Sequence, residues 1–270
     1  MRTYIIGDLH GRRAQLRALL ALLPRDAAED TLIFLGDLVD RGDQIPGTVA
    51  DVLALKEAQP ERVVCLRGNH EQMLLDFVDK ADLLWLHAAV GSEHTIEQYT
   101  GESLRIRTDQ DFALLREKFA AAIPPEHLAF FRQLPLWHED DYALYVHAGL
   151  RDGQHPRDTP AHTLLWTRDP NFFKHYAGKP CVFGHTPVPL LPLRGRIGRH
   201  GIYVSHSAIG LDTGFSDASP LSCLQLPDLQ LYQAFPDGHT AAFHLTSFVP
   251  EPLRSMQRKH APDAQPQAQV

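Results

Sequence analysis

Five short apolar runs in this sequence each end in a polar turn that combines glycine with a residue able to ligate a metal ion. Gly7-Asp8-Leu9-His10-Gly11 follows the first, Gly36-Asp37-Leu38-Val39-Asp40-Arg41-Gly42 the second, and Arg67-Gly68-Asn69-His70-Glu71 the third. His147, in Tyr145-Val146-His147-Ala148-Gly149, and His185, in Phe183-Gly184-His185-Thr186-Pro187, close the other two. Taken singly, each has a dull explanation, because Asp and Asn favour turns and helix starts for local hydrogen-bonding reasons. Five in series exceed what turn chemistry alone accounts for. Together Asp8, His10, Asp37, Asn69, His147 and His185 offer carboxylate oxygen, imidazole nitrogen and one amide oxygen with no thiolate, a donor set suited to Mn, Fe or Zn and less well to Mg. The set is large enough for two ions. Ions held about 3.5 to 4 Å apart need a carboxylate to bridge them, and Asp37, in the middle of the series, is the natural candidate.

Such turns must be held by a scaffold, and the hydrophobic pattern supplies one. Thr3 to Ile6 precedes a helical stretch from Arg12 to Leu23, with leucines at 16, 19, 20 and 23 on one face. Thr31 to Leu35 precedes a second amphipathic run, Thr48 to Lys56, and Arg62 to Leu66 precedes a third helix reaching about Val78. This β-α-β alternation predicts an α/β fold with a mostly parallel sheet, helices on both faces, and the polar turns gathered at the carboxyl ends of the strands. From Ala81 to about Leu134 the pattern becomes helical and irregular, which reads as a helical insert. Strand signals return at Ala143 to Val146, Pro180 to Phe183, Gly201 to Val204, Leu221 to Leu226 and Leu229 to Phe235, and a second, more antiparallel sheet is expected there. The domain is expected to span 1–249. Residues 250–270, rich in Pro, Gln, Ala and Arg, are expected to form a largely disordered tail.

Composition narrows the classes of function. With 270 residues, 44% of them hydrophobic and 22% charged, the chain can bury one sizeable core. A formal net charge of -7 gives no overall field to gather nucleic acid, so any phosphate must be bound by local positive charge. No stretch approaches the roughly 20 apolar residues of a membrane span, and Met1-Arg2-Thr3 leads into an apolar segment too short for a signal peptide, so a cytoplasmic location with no membrane partner is expected. Cys65, Cys181 and Cys223 lie far apart without CxxC spacing and read as core residues rather than a disulfide framework or zinc site.

The motifs at 7–11, 36–42, 67–71, 147–149 and 184–187 resemble, in order, those of the phosphoprotein phosphatase family of binuclear metallophosphoesterases, and are most similar to its compact bacterial and bacteriophage members. The resemblance runs from residue 4 to about 215. It implies a four-layer sandwich of two mixed β-sheets flanked by helices. It also implies a division of labour: Asp8, His10 and Asp37 around one divalent ion, and Asp37, Asn69, His147 and His185 around the other, with Mn the favoured metal. Two such ions supply a hydroxide near neutral pH in line with phosphorus. His70 would be the general acid for the leaving group, oriented by Asp40, and Arg41 with Arg168 would clamp the phosphoryl oxygens. Arg67 would support the loop and Asp212 would fix a turn near the site.

Within the family, two substrate classes compete: phosphoserine or phosphothreonine in proteins, and dinucleoside tetraphosphates cleaved symmetrically. The dinucleotide hydrolases tend to carry alanine at the position of Asp40, aspartate at that of Glu71 and tryptophan at that of Thr186, so the sequence favours the protein phosphatase side. Small phosphomonoesters and nucleotides remain alternatives, and a catalytically dead scaffold is disfavoured by the complete set of candidate ligands with His70, Asp40 and Arg41.

Overall fold

The computed structural model describes residues 1–103, 106–151, 154–196, 201–214, 216, 218–245 and 253–255. Its amino-terminal third is built from β1 (Thr3–Ile6), α1 (Arg13–Leu22), β2 (Thr31–Phe34), α2 (Ile45–Ala58), β3 (Val63–Cys65) and α3 (Asn69–Lys80). The three strands pair in parallel, with Ile5 opposite Ile33 and Ile33 opposite Val64. Helix α2 starts earlier than its apolar run suggests because Pro46 sits in its first turn, where the missing N–H has no helical partner to lose.

Between 81 and 134 lie a 3₁₀ turn (Leu84–Leu86), α4 (Ser92–Thr100), α5 (Asp109–Ala122) and α6 (Pro125–Gln133). Helix α5 is started by Thr108, whose side chain accepts a hydrogen bond from Asp111 N at 3.1 Å. Trp85, Ile96, Phe119 and Phe131 are buried in the same core as Tyr4, Leu16 and Phe34, so these helices are packed onto the first sheet rather than standing apart from it.

The remaining elements are β4 (Trp137–Glu139), β5 (Leu144–Val146), α7 (Ala161–Trp166), α8 (Pro170–His175), β6 (Cys181–Phe183), β7 (Tyr203–Ser205), β8 (Ala208–Gly210), β9 (Leu221–Leu226), β10 (Gln230–Ala234) and β11 (Thr240–His244). One sheet runs β11-β10-β9-β1-β2-β3 and the other β4-β5-β6-β8-β7. This corrects the expectation that all later strands share the second sheet: β9 and β10 cross back to the first. The cause is the open edge of β1, whose backbone groups would otherwise be buried unpaired; β9 covers it antiparallel, with Leu224 opposite Ile5. Both sheets are therefore mixed.

Strand alternation divides the interior into three cores and hence the protein into four layers. Tyr4, Ile6, Leu32 and Phe34 face the helices α1 to α6. Ile5, Ile33, Tyr145, Val182 and Leu224 fill the space between the sheets. Leu144, Val146, Cys181 and Phe183 face α7 and α8 through Leu164, Phe172 and Phe173. Strands buried on both sides read as unbroken apolar runs, which is why they stood out in the sequence. The three cysteines are buried and free, as expected of core residues. Of the stretch expected to be a tail, Leu253 is buried between the sheets, and most of the rest lies outside the described residues. Among the described residues, no helix is long and apolar enough to cross a membrane.

Candidate metal centre

Every residue singled out as a ligand sits just past the carboxyl end of a strand: Asp8 and His10 after β1, Asp37 after β2, Asn69 after β3, His147 after β5 and His185 after β6. The two sheets thus contribute from opposite sides of one cleft. Asp37 is its centre. Its Oδ2 lies 3.6 Å from His10 Nε2 and 3.8 Å from His70 Nε2, and its Oδ1 lies 3.4 Å from His147 Nε2. Two groups of donor atoms, each lying within 4.8 Å of one another, share this carboxylate: His10, Asp37 and His70, and Asp37, His147 and His185. The position expected to bridge two ions is the one common to both groups.

The orientation of the rings is fixed from behind. His10 Nδ1 donates to Val39 O and His147 Nδ1 to Leu35 O, both at 2.8 Å, which leaves each Nε2 with a lone pair turned inward when the ring is neutral. His147 Nε2 faces Asn69 Oδ1 at 2.9 Å, and His185 Nδ1 faces the same oxygen at 2.8 Å. His185 Nε2 is buried with no hydrogen-bond partner. Acceptors that converge in this way repel unless a proton or a cation lies among them. The donor set therefore fits divalent ions.

Electrostatics agree. Burial, with Asp212 and Asp37 adding to it, holds the Asp8 carboxyl well above the usual carboxylate range, so that its ionised form needs a nearby cation. Burial and the neighbouring His147 push His185 down to about 3, which keeps the imidazole neutral and able to ligate. Burial alone would raise Asp37, but the surrounding imidazoles, His147 and His70 foremost, outweigh it and hold that carboxyl below the usual carboxylate range.

Asp8 departs from the expected grouping in one respect. Its carboxylate accepts from His185 N, 2.9 Å to Oδ2, and His70, not Asp8, completes the group around His10. Two glycines make the close approach possible. A Cβ on Gly184 would strike Asp8 Oδ1, and one on Gly68 would strike Asp37 Oδ1.

His70 Nδ1 donates to Asp40 Oδ2 at 2.6 Å, and both side chains are buried. Burial works against a charged imidazole here, yet Asp37 and Asp40 outweigh it and His70 lies above its ordinary pKa. Arg41 Nη1 is 3.0 Å from His10 Nε2 and its Nη2 is 3.2 Å from His70 Nε2, so the guanidinium spans the mouth of the site. Arg168 lines the same cavity of about 290 Å³, together with Asn69, Trp166 and His185. It makes no ion pair with Asp169, whose carboxylate instead caps α8 by accepting from Asn171 N at 2.8 Å.

The expected supporting roles also find their geometry. Arg67 donates to Arg132 O at 2.7 Å and Gln72 Oε1 at 3.0 Å. Asp212 accepts from Gly214 N at 3.0 Å, fixing the turn after β8.

Three further residues brace the site, a role the sequence reading assigned to none of them. Glu71 accepts from the backbone N–H groups of Asp37 (2.9 Å), Leu38 (2.7 Å) and Gly68 (2.9 Å), tying the loop after β2 to the start of α3; burial, then the Asp37 charge, pushes its carboxyl up to about 7. Its place at the third position of α3, reaching back to Gly68, was the available signal. Trp85 Nε1 donates to Asp40 Oδ2 at 3.0 Å, and Thr95 Oγ1 donates to Asp40 Oδ1 at 2.5 Å. Trp85 and Thr95 come from the helical stretch after α3, where no motif spacing announces them. The backbone is strained in the same place: His10, Asp37, Asp40, Arg41 and His185 are five of the eight non-glycine residues with positive φ among the described residues.

Most of the chain resembles proteins of known or assigned activity. A symmetrical bis(5'-nucleosyl)-tetraphosphatase of Janthinobacterium sp. (strain Marseille) is 27% identical over 84% of this chain and 94% of its own length. Other bacterial proteins of that name match over 56% of this chain and 44% of theirs. Serine/threonine-protein phosphatase 1 of Salmonella typhimurium is 26% identical over 68% of this chain and 78% of its own. The crystal structure of a putative diadenosine tetraphosphatase superposes with a TM-score of 0.58 at 23% identity, covering 90% of this chain and 92% of that one, which reflects a common fold. The family model for calcineurin-like phosphoesterases matches residues 1–209, a span that begins before Asp8 and ends beyond His185, and the chain accordingly belongs to that family.

Proposed function

We propose that this protein is a metal-dependent hydrolase of dinucleoside polyphosphates, cleaving a phosphoanhydride of a bis(5'-nucleosyl) tetraphosphate symmetrically, with manganese as the working metal. The observation that carries the hydrolytic reading is the shared placement of Asp37 between two groups of converging acceptors. The substrate class is supported by the names of relatives similar over most of the chain. Divalent ions bound there would supply positive charge for the phosphoryl oxygens and a water activated as nucleophile near neutral pH.

The chain's own residues do the rest. Asp8, His10, Asp37, Asn69, His147 and His185 would hold the ions, with the His10 and His147 rings aligned by the backbone carbonyls behind them. Arg41 and Arg168 bind phosphoryl oxygens and orient the phosphorus for in-line attack. His70, held by Asp40, keeps Nε2 towards the cleft, where a protonated imidazole can donate to the departing oxygen.

This substrate differs from the phosphoprotein that Asp40, Glu71 and Thr186 suggest in sequence. Glu71 is engaged by backbone N–H groups and turns no function towards substrate, and Asp40 faces His70 rather than the cleft. Neither identity reads the substrate directly. One observation still favours phosphomonoesters as a second reading: a proton relay as tight as Asp40–His70 serves an alkoxide leaving group, which needs a proton far more than a nucleoside diphosphate does. The test is a rate comparison on diadenosine tetraphosphate and a phosphoserine peptide with added Mn. Higher kcat/KM on the dinucleotide, with ADP as the nucleotide product, supports the first reading. ATP plus AMP as products, or a peptide rate that exceeds the dinucleotide rate, sinks it.

A further inference from the structure

The cleft does not end at the metal centre. Past Met73, Leu84 and Trp166, which line both spaces, it opens into a pocket of about 220 Å³ completed by Gln72, Asp76, Asp82 and His162. The Trp166 indole is partly exposed, and His162 lies nearly parallel to it, with centroids 6.3 Å apart and planes 21° from each other. Arg168, which lines the metal-centre cavity, also lines a wider cavity of about 490 Å³ that carries Lys174 and Arg196. The central cavity therefore borders two spaces of different chemistry: an aromatic and acidic end that shares Trp166 with it, and a cationic one that shares Arg168.

The acidic end cannot favour phosphate. Asp82 Oδ1 accepts from Leu84 N at 2.8 Å, and Asp76 Oδ1 accepts from Gln72 Nε2 at 3.0 Å and pairs with Lys80 Nζ at 2.7 Å. Among the described residues the hydrogen bonds and the ion pair of these carboxylates all fall on Oδ1, which leaves each Oδ2 able to accept from an amino group or a hydroxyl. A flat apolar surface rimmed by acceptors suits a nucleobase, which offers a π-face to stack and N–H groups at its edge.

We propose that Trp166, backed by His162, is the stacking platform for one nucleobase of the substrate, with the polyphosphate running from there over the metal centre towards Arg168 and Lys174. This rests on the dinucleotide reading for its substrate, but the platform itself is a binding property of the cleft. Stacking of one base on an aromatic side chain strengthens binding by roughly 5- to 150-fold, whereas the phosphates of ADP and of inorganic pyrophosphate meet the same cations.

The test is calorimetric titration of the Mn-loaded protein with ADP and, separately, with pyrophosphate. In the wild type ADP binds at least about fivefold more tightly than pyrophosphate. Trp166→Ala brings the ratio of the two dissociation constants to near one, and Trp166→Phe, which keeps a smaller ring, retains part of it. Equal affinities in the wild type, or a ratio that survives in Trp166→Ala, overturn the platform even if the enzyme cleaves diadenosine tetraphosphate. A collapsing ratio in a protein that leaves diadenosine tetraphosphate intact upholds the platform and sinks the dinucleotide reading instead. Should Trp166→Ala fail to fold, the wild-type ratio and Trp166→Phe decide the matter, since a ratio unchanged by loss of the indole's second ring and found equally with ribose 5-diphosphate excludes stacking.

Discussion

Asp40 receives hydrogen bonds from three side chains at once, and the one from His70 Nδ1, at 2.6 Å, is the only one that connects it to the cleft. The other two, from Trp85 and Thr95, come from the helical stretch beyond α3 and fix the carboxylate rather than share its work. Asp40 is therefore held on one side so that it can hold His70 on the other.

If His70 donates a proton without ligating an ion, His70→Asn leaves metal content intact. Turnover then falls about 100-fold or more on a phosphoserine-type ester, in the range usual for general acid catalysis, and distinctly less on an aryl phosphate whose leaving group needs no proton. Thr95→Val, which removes one donor from Asp40, shows the same bias in milder form. Equal losses on both esters, or a lost ion, make His70 a ligand, as its place in the group with His10 and Asp37 would permit.

Asp37 touches both donor groups, so its loss affects both. At a hundredfold excess over Kd, Mn should stabilise the wild type by about 2.7 kcal/mol for each ion bound, raising Tm by several degrees. Asp37→Asn removes most of that rise and lowers the metal content of the purified protein. A variant with two bound ions and the wild-type shift in Tm would show that no shared carboxylate is needed.

Arg41→Ala and Arg168→Ala should each raise the inhibition constant of inorganic phosphate and also lower kcat, because the guanidinium meets phosphoryl oxygens in the ground state and in the transition state alike. Inhibition assays on a single Mn-loaded preparation of each protein decide it. Unchanged inhibition and turnover in Arg168→Ala would leave that residue as mere lining of the cleft.

Asp51 joins α1 to α2 through Arg13 (2.9 Å) and Arg17 (2.7 Å), and hydrogen bonds from these two guanidinium groups hold its carboxyl below the usual range. A folded-state pKa below the unfolded one adds stability that is complete above about pH 4 and is lost as pH falls through the depressed value. With the partly exposed pair worth about 1 kcal/mol or less, Asp51→Asn should lower Tm slightly at pH 7 and by less at pH 3. A difference that grows on acidification would reverse the sign assigned to this pair.

The centre was legible because its residues recur at one structural address. A strand, a glycine and a short polar side chain leave a local mark each time, and parallel pairing then gathers the marks at one end of the sheet. The return of β9 to β1 left no such mark, since Leu221–Leu226 would read the same in either sheet and only the unpaired edge of β1 decides. Strand β8 was missed because Ala208–Gly210 is too short to show a period. Thr95 and Trp85 were opaque for a different reason: each reaches Asp40 across about 50 positions of sequence, a distance over which side-chain type predicts nothing about partner.

The left-handed backbone at His10, Asp37, Asp40, Arg41 and His185 sets stability against activity in a way a heat-tolerance screen would expose. Non-glycine residues held there cost on the order of 1 to 3 kcal/mol each, and glycine relieves the strain at no steric expense. Selection for thermal survival alone would drift towards glycine at these positions, and the hardiest clones recovered would be those that had stopped turning over substrate. The strain is a record of use, kept only while the reaction is under selection.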